Sequence, residues 1–446
     1  MRATSLPQQT LPEEEAPGLL QRRAFRMLCY SRFFSRVAQN SVNFALVLLI
    51  VDETGQALMS SLLVLALVVP STAAGVIAGT AADHLPRRLL IVVGDLVRAA
   101  VCVLFVRGSG DVTSYYLAAI FISSAGQFAS SAEGVLPPLM VERNELARAN
   151  AIGHAVGGAA QLVGLALLTP LVLRVFDSPE ALFSIAAGLF VFAAIQALLI
   201  GRVKSARPDE IGGESSGRWW LTGWRAMRSD RAVMHAAIEL TLISATMIIL
   251  GGLIPTYISD VLGLPVDVGA VVLLPAGIGV AVGLRTAGFL AHRVAHAVLS
   301  TTGFVAFVVL LIAATFVNEE ASFLSGYGVF AWLDEVNIGS FDRGGVLAMM
   351  LMFPLGFSYA IVGVAAQTVM NDRVPLHLQG RVGAAQNAMA ALASSLPVLV
   401  AGLFADLVGV TPVMAVVAAA IGVAALANLR APRAGTSPGE PVYIGG

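Results

Sequence analysis

The sequence predicts an all-α polytopic membrane protein with about twelve transmembrane helices arranged as two six-helix halves. Hydrophobic residues make up 57% of the 446 residues, and charged residues only 12%. The mean hydropathy of +0.82 is higher than a soluble globular domain of this length carries. The apolar residues also fall into runs of the ~20 residues that a helix needs to cross a hydrocarbon core ~30 Å thick.

The runs divide into two groups of six on either side of a polar stretch. The first group predicts helices over 27–51, 60–82, 89–106, 115–140, 150–173 and 181–200; the second predicts them over 232–258, 268–290, 298–317, 345–370, 382–404 and 411–429. The division gives an N-terminal tail (1–26), an N-terminal half (27–200), a linker (201–231), a C-terminal half (232–429) and a C-terminal tail (430–446). The linker contains Trp219, Trp220, Trp224, Arg225 and Arg228. Because tryptophan and arginine favour lipid headgroups, these residues predict an interfacial helix.

The basic residues predict the orientation of the chain. With a cytoplasmic N-terminus, only Arg107, Arg174 and Arg343 of the 27 Lys and Arg residues lie on the outer side. We therefore expect a multi-pass protein of the inner (plasma) membrane with both termini in the cytoplasm. About twenty polar residues precede the first apolar run, which we expect to remain as helix one rather than to be cleaved as a signal peptide.

Several functional classes are disfavoured. The net charge is −1, and the arginines form short clusters rather than a continuous basic face, which argues against binding of nucleic acid. No phosphate loop, zinc-ligand spacing or nucleophile motif is present, so we expect no enzymatic activity, cofactor or metal. Cys29 and Cys102 lie in or beside apolar runs and are expected to be core residues. Without a nucleotide motif, an ion gradient is the natural source of energy.

The segment between the second and third predicted helices is the most specific motif. Gly79 is followed four residues later by Asp83, and then by the basic pair Arg87 and Arg88. This pattern resembles the signature of the major facilitator superfamily, although His84 departs from it. The resemblance implies that the aspartate and the basic pair latch the two halves on the cytoplasmic side and release them as the transporter changes face. A tight turn with positive-inside arginines is the alternative.

Further segments resemble a drug and siderophore exporter branch of that superfamily. They are Arg32–Ser35, Gly94–Ala99, Glu145–Ala151 and Gly380–Val382. The resemblance implies a monomeric secondary transporter that works by alternating access and couples the efflux of small amphipathic compounds to protons. Movement of a lysophospholipid or metabolite is the alternative within transport. A membrane sensor that lost transport is the alternative from another class, suggested by the Gly164-Leu165 pair where many exporters have Gly-Pro.

Ionisable residues inside the predicted helices are candidates for function, because a charge near the middle of a membrane helix costs at least ~2.5 kcal/mol. Glu133 and Glu239 are candidates for binding a proton or a cationic substrate. Alternatively, Glu133 or Asp95 neutralises Arg98 or Arg36 in a structural ion pair. Asp95 and Arg98 lie three residues apart on one helix face, which favours a local ion pair.

Neutral polar residues inside the predicted helices are candidates to line a central cavity. They also suit hydrogen bonds between helices, which remains the alternative for each of them. The residues are Asn40, Asn43, Gln127, Gln161, Gln367, Gln386 and Asn387.

Overall fold

The computed structural model describes residues 19–108, 111–141, 145–176, 178–201, 219–264, 266–290, 294, 296–325 and 343–430. The N-terminal half contains α1 (Arg23–Thr54), α2 (Ala57–His84), α3 (Arg87–Arg107), α4 (Val112–Val135), α5 (Pro137–Met140), α6 (Leu146–Gln161), α7 (Thr169–Phe176) and α8 (Pro179–Leu199). The linker contributes α9 (Trp219–Ser229). The C-terminal half contains α10 (Arg231–Thr256), α11 (Val266–Leu290), α12 (His296–Thr315), α13 (Val317–Ser325), α14 (Arg343–Arg373), α15 (Leu376–Val408) and α16 (Val410–Arg430).

Ten helices in the described ranges are long and apolar enough to cross a membrane. Two more long helices complete the predicted set of about twelve. Helix α4 is long enough, but Gln127 and Glu133 make it more polar, and α11 contributes the shorter apolar stretch Val271–Ala287. The protein is therefore an all-α polytopic membrane protein, as the sequence predicts. Helices suit this setting because they satisfy every backbone hydrogen bond without water.

Helices within each half pack through small residues. In the N-terminal half, α1 packs against α8, α2 against α4, and α3 against both α4 and α8. In the C-terminal half, α11 and α12 pack against α14, and α10 packs against α14 and α15. Fully buried alanines such as Ala45, Ala119 and Ala186 lie in this core. Small side chains allow the close approach on which helix association in lipid depends.

The two halves are joined at the end of the bundle where α2 begins. Asp406, near the end of α15, accepts hydrogen bonds from the first backbone N–H groups of α2. Its Oδ1 accepts from Ala57 N–H at 2.7 Å, and its Oδ2 accepts from Leu58 N–H at 3.0 Å. The Ser60 hydroxyl donates to the carbonyl oxygen of Gly252 on α10 at 2.6 Å. We call this the Asp406 end of the bundle, and here the halves are closed against each other.

The fifth predicted membrane helix is not uniformly α-helical. A π-helical segment, Leu162–Leu168, joins α6 to α7. Gly164 in this segment packs closely on α1, since a Cβ there would lie 2.6 Å from the carbonyl oxygen of Val37. The hydroxyls of Ser41 and Thr169 each donate to the Gly164 carbonyl oxygen at 2.9 Å. Side-chain hydroxyls thus supply hydrogen bonds to a backbone carbonyl of the widened π-helical turn. Turns of this type are frequent at functional sites.

The linker helix α9 packs on the C-terminal half through α15. Met227 is fully buried and Trp224 partly buried in a small apolar cluster that includes residues of α10 and α15. Arg225 and Arg228 are exposed. The side chains of Trp219 and Trp220 lie outside the described part of the chain, and the interfacial position of this helix stays a prediction.

Candidate functional site

A polar cavity of about 180 Å³ lies inside the N-terminal half, between α1, α2, α3 and α4. Water occupies ~30 Å³ per molecule in the liquid, so the cavity has room for several waters or one small polar group. Its wall carries three charged side chains among hydroxyl and amide groups. The lining residues are Ser35, Arg36, Gln39, Asn43, Leu67, Ser71, Arg98, Ser123, Gly126, Gln127, Ala129, Ser130 and Glu133.

The ion pair of α3 stands at the centre of a buried network. Asp95 and Arg98 are 0% and 3% exposed, and the Arg98 guanidinium contacts Oδ1 of Asp95 directly. The Ser35 hydroxyl accepts from Nη2 of Arg98 at 2.9 Å and donates to Oδ1 of Asp95 at 2.9 Å. Nη1 of Arg98 donates to Oε1 of Gln39 at 3.1 Å, and the guanidinium carbon lies 4.6 Å from the centre of the Phe190 ring. Such pairing is what a buried charge requires.

A polar stripe on α1 extends this network. Arg36, Gln39 and Asn43 line the cavity, and Nε2 of Gln39 donates to Oδ1 of Asn43 at 2.7 Å. Arg32 lies one turn before Arg36. Positions 32, 36, 39 and 43 share one face of a helix. This spacing is the signal in the sequence that could have identified Arg32 and Arg36 as site residues.

Glu133 of α4 is 2% exposed and lines the cavity. Its Oε2 accepts a hydrogen bond from Nε of Arg32 at 3.2 Å. The sequence pointed to Arg98 or Arg36 as the partner of this acid, whereas the structure assigns Arg32. Gly153 of α6 leaves room for that arginine, because a Cβ at 153 would lie 2.7 Å from Nη1 of Arg32. Three helices therefore meet at the Arg32–Glu133 pair.

Arg36 differs from the other cavity-lining charges. It is exposed and lines the cavity, and no hydrogen bond or ion pair joins it to any of the described residues. Arg98 is paired with Asp95, and Glu133 is paired with Arg32. Among the described residues, the cavity therefore carries one positive charge without an ion-pair partner.

Glu239 lies on the other half of the bundle. It is half-buried on α10 and accepts a hydrogen bond from the hydroxyl of Ser300 on α12, which is 2% exposed. His235 lies one turn earlier on α10, a titratable neighbour that the reading of the sequence missed. Glu239 does not line the cavity of the N-terminal half.

The predicted cavity-lining amides fall into two groups. Asn43 and Gln127 line the cavity described here. The other five lie elsewhere: Asn40 is half-buried on α1 and Gln386 is buried on α15, while Gln161, Gln367 and Asn387 are exposed. Gln367 also donates to the Asn371 side chain at 3.1 Å. The structure thus brings together predicted polar residues of the N-terminal half alone.

The predicted gate motif lies at the turn between α2 and α3. Helix α2 ends at His84, and α3 begins at Arg87. Arg87 and Arg88 are half-buried, and Nε of Arg87 is buried without a hydrogen-bond partner among the described residues. Nothing is described of the surroundings of Gly79, and the side chain of Asp83 lies outside the described part of the chain. The latch therefore stays a prediction.

The groups available for chemistry at this site are those of side chains. Across the described ranges, no three His, Cys, Asp or Glu side chains are placed to hold a metal ion. Cys29 and Cys102 are free and buried. The arrangement can bind a proton on a carboxylate, bind an anion on a guanidinium, and donate hydrogen bonds from amides.

The sequence itself matches a known family. The profile of the Major Facilitator Superfamily matches residues 28–397. The chain belongs to the Major Facilitator Superfamily. It is therefore a membrane transporter of small molecules and not an enzyme, as the motifs predicted. No curated protein sequence matches the chain.

Solved transporters share this fold. A mutant of the nucleoside transporter NupG has a TM-score of 0.70 at 14% identity, over 91% of this chain and 99% of that chain. A bacterial homologue of the human lysosomal transporter Spinster, in an inward-facing and unoccupied conformation, has a TM-score of 0.67 at 11% identity, over 91% and 96% of the two chains. At these identities the likeness shows the fold alone.

Proposed function

We propose that this transporter exports small amphipathic compounds across the inner membrane in exchange for protons, by alternating access. One observation carries the proposal. Glu133 is a carboxyl group 2% exposed, it lines a polar cavity, and its one described partner is Arg32 on another helix. Buried acids with a path to water are the usual proton sites of membrane transporters. The resemblance to drug and siderophore exporters supports the direction of transport and the substrate class.

Proton binding at Glu133 is coupled to the helices through Arg32. A proton on Glu133 removes the negative charge that Arg32 faces. Arg32 is then an unpaired cation in a low-dielectric interior, which is unfavourable until its surroundings change. Because Arg32, Glu133 and Gly153 lie on α1, α4 and α6, this change alters the packing of three helices. Alternate occupation of this half by a proton and by substrate gives exchange.

Alternating access also needs two ends that open in turn. If the N-terminus is cytoplasmic, as the basic residues predict, α2 begins on the outer side and the Asp406 end is the outer gate. In this proposal the structure corresponds to an inward-facing state. Gly79, Asp83, Arg87 and Arg88 then form the cytoplasmic gate, which closes when the Asp406 end opens.

Proton flux in proteoliposomes tests the proposal. Vesicles carry an internal pH-sensitive dye and an imposed pH gradient, and they are challenged with amphipathic cations, neutral compounds and siderophore-like anions. We expect a substrate to dissipate the gradient in wild type. The Glu133→Gln variant should lower this flux at least about tenfold, because the amide cannot take up the proton. Glu319→Gln, which alters an exposed acid on α13, is the matched control.

The other outcomes are equally informative. Unchanged flux in Glu133→Gln contradicts its role as the proton site. Loss of flux in Glu239→Gln alone would move the proton site to the C-terminal half. If no compound moves protons in wild type while labelled lysophospholipid or metabolite is transferred, the exporter proposal is wrong and the alternative within transport replaces it.

A further inference from the structure

We infer that Arg36 binds an anionic group of the substrate, so that the transported compounds are amphipathic molecules carrying a carboxylate or a similar oxyanion. The inference rests on the proposed function, because it names the substrate class of the same cavity. Three features of the structure carry it: the pairing of the other charges, the position of Arg36 in its helix, and the size and chemistry of the cavity.

The pairing leaves Arg36 as the group available to a ligand. Arg98 is bonded to Asp95, and Glu133 is bonded to Arg32. No described residue forms a hydrogen bond or an ion pair with Arg36, although its side chain lines the cavity. A cationic substrate would meet this charge with repulsion, whereas an anionic substrate would neutralise it.

Arg36 lies in the interior of α1 rather than near either end. It lies 13 residues after Arg23 and 18 residues before Thr54, the ends of α1. At 1.5 Å per residue these separations are about 20 Å and about 27 Å. Helix α1 is about 48 Å long and thus longer than the ~30 Å hydrocarbon core, so these separations are measured to the helix ends and not to the headgroups. An unpaired arginine at this position is unfavourable unless water or a ligand meets it.

The cavity suits an anionic head group rather than a whole amphiphile. Its volume of about 180 Å³ is below the roughly 300–1,000 Å³ of pockets that enclose drug-sized ligands. The amides of Gln39, Asn43 and Gln127 can donate hydrogen bonds beside Arg36, whereas the hydroxyls of Ser71 and Ser130 already donate to the carbonyl oxygens of Val68 and Gln127. A guanidinium also matches the geometry of a carboxylate with two parallel N–H bonds. The apolar body of the substrate then lies outside this cavity.

Binding to purified protein in detergent tests the inference with matched probes. Pyrenebutyric acid and N-dansylphenylalanine are each compared with their primary amide, by fluorescence titration and thermal shift. We expect wild type to bind each acid at least about tenfold more tightly than its amide. Arg36→Gln should remove this preference. Arg36→Lys retains the positive charge but lacks the two parallel N–H donors of the guanidinium, so it should keep part of the preference. Arg107→Gln, at an exposed arginine of α3, should leave the preference unchanged.

Two results would overturn the inference: equal binding of acids and amides by wild type, or an unchanged preference in Arg36→Gln. The Arg36→Lys variant and the wild-type ratio decide the question even if Arg36→Gln does not fold. The titration uses no proton gradient, so it separates the two proposals. Normal proton flux in Glu133→Gln would overturn the proposed coupling and leave the acid preference standing. If wild type binds acids and amides equally while Glu133→Gln lowers the proton flux as expected, this inference is overturned and the proposed function stands.

Discussion

Charge is distributed unequally between the two halves of the bundle. Among the described residues, the buried charged side chains are Asp95, Arg98 and Glu133, all in the N-terminal half. The buried polar groups of α10–α16 are serine and threonine hydroxyls and the amide of Gln386. Among the described residues, the N-terminal half thus holds buried charges that must stay paired, whereas the fully buried polar groups of the C-terminal half are neutral. Such groups can change their contacts without breaking a buried ion pair.

Breaking the α3 ion pair should have the largest effect. Asp95→Asn leaves Arg98 as a buried cation without its partner, and we expect a loss of about 3–5 kcal/mol in the free energy of unfolding. The matched control is Asp230→Asn, at the end of the linker, whose pair with Arg373 of the C-terminal half spans 3.2 Å and is 38% exposed on the arginine side. That change should cost less than about 1 kcal/mol. Unfolding of both variants in detergent measures the difference, and equal losses would contradict the contrast between the halves.

A smaller effect is expected where the halves meet. Asp406→Ala removes the acceptors of two α2 backbone N–H groups, a loss of about 1 kcal/mol for a helix cap. This should lower the ratio of closed to open molecules at the Asp406 end about fivefold. Spin labels introduced by Glu180→Cys and Glu319→Cys, one on each half at that end, report the distance distribution. Asp406→Asn keeps one of the two acceptor oxygens and should shift the distribution less than Asp406→Ala; a distribution unchanged in Asp406→Ala would show that the contact does not hold the halves.

The smallest effect on stability is expected at Gly153. A methyl group in Gly153→Ala would displace the end of the flexible Arg32 side chain, so the free energy of unfolding should change by less than about 1 kcal/mol. Proton-coupled flux should nevertheless fall several-fold, because Arg32 is moved away from Glu133. Gly157→Ala is the control on the same helix, since no atom lies within 4 Å of a Cβ there. Equal flux in the two variants would contradict a role for the Arg32–Glu133 geometry.

Much of the fold was predictable because it depends on local sequence. The length of the apolar runs indicates helices that cross the bilayer, and their grouping around the linker indicates two halves. The three-residue spacing of Asp95 and Arg98 placed both on one face of α3 before any tertiary contact was known. The structure places these two side chains in contact.

Ion-pair and hydrogen-bond partners that lie on different helices were harder to predict from the sequence. The sequence offered Arg98 or Arg36 as the partner of Glu133 in the structural alternative, but Arg32 is its partner. Which arginine of α1 reaches α4 depends on the rotation and tilt of both helices, and packing rather than hydrophobicity sets these. The π-helical segment beside Gly164 and the contact of Asp406 with α2 went unnoticed for the same reason: both depend on how closely two distant segments approach.

The bond between Asp406 and α2 makes an unusual demand on the sequence. Its donors are main-chain amides, which every residue except proline supplies, so the bond itself does not depend on the side chains at positions 57 and 58. Burial restricts position 57 for a separate reason, since Ala57 is 0% exposed. The acceptor comes from position 406 alone, and in the proposed cycle a single replacement there would retune how long the transporter dwells in each of its two states.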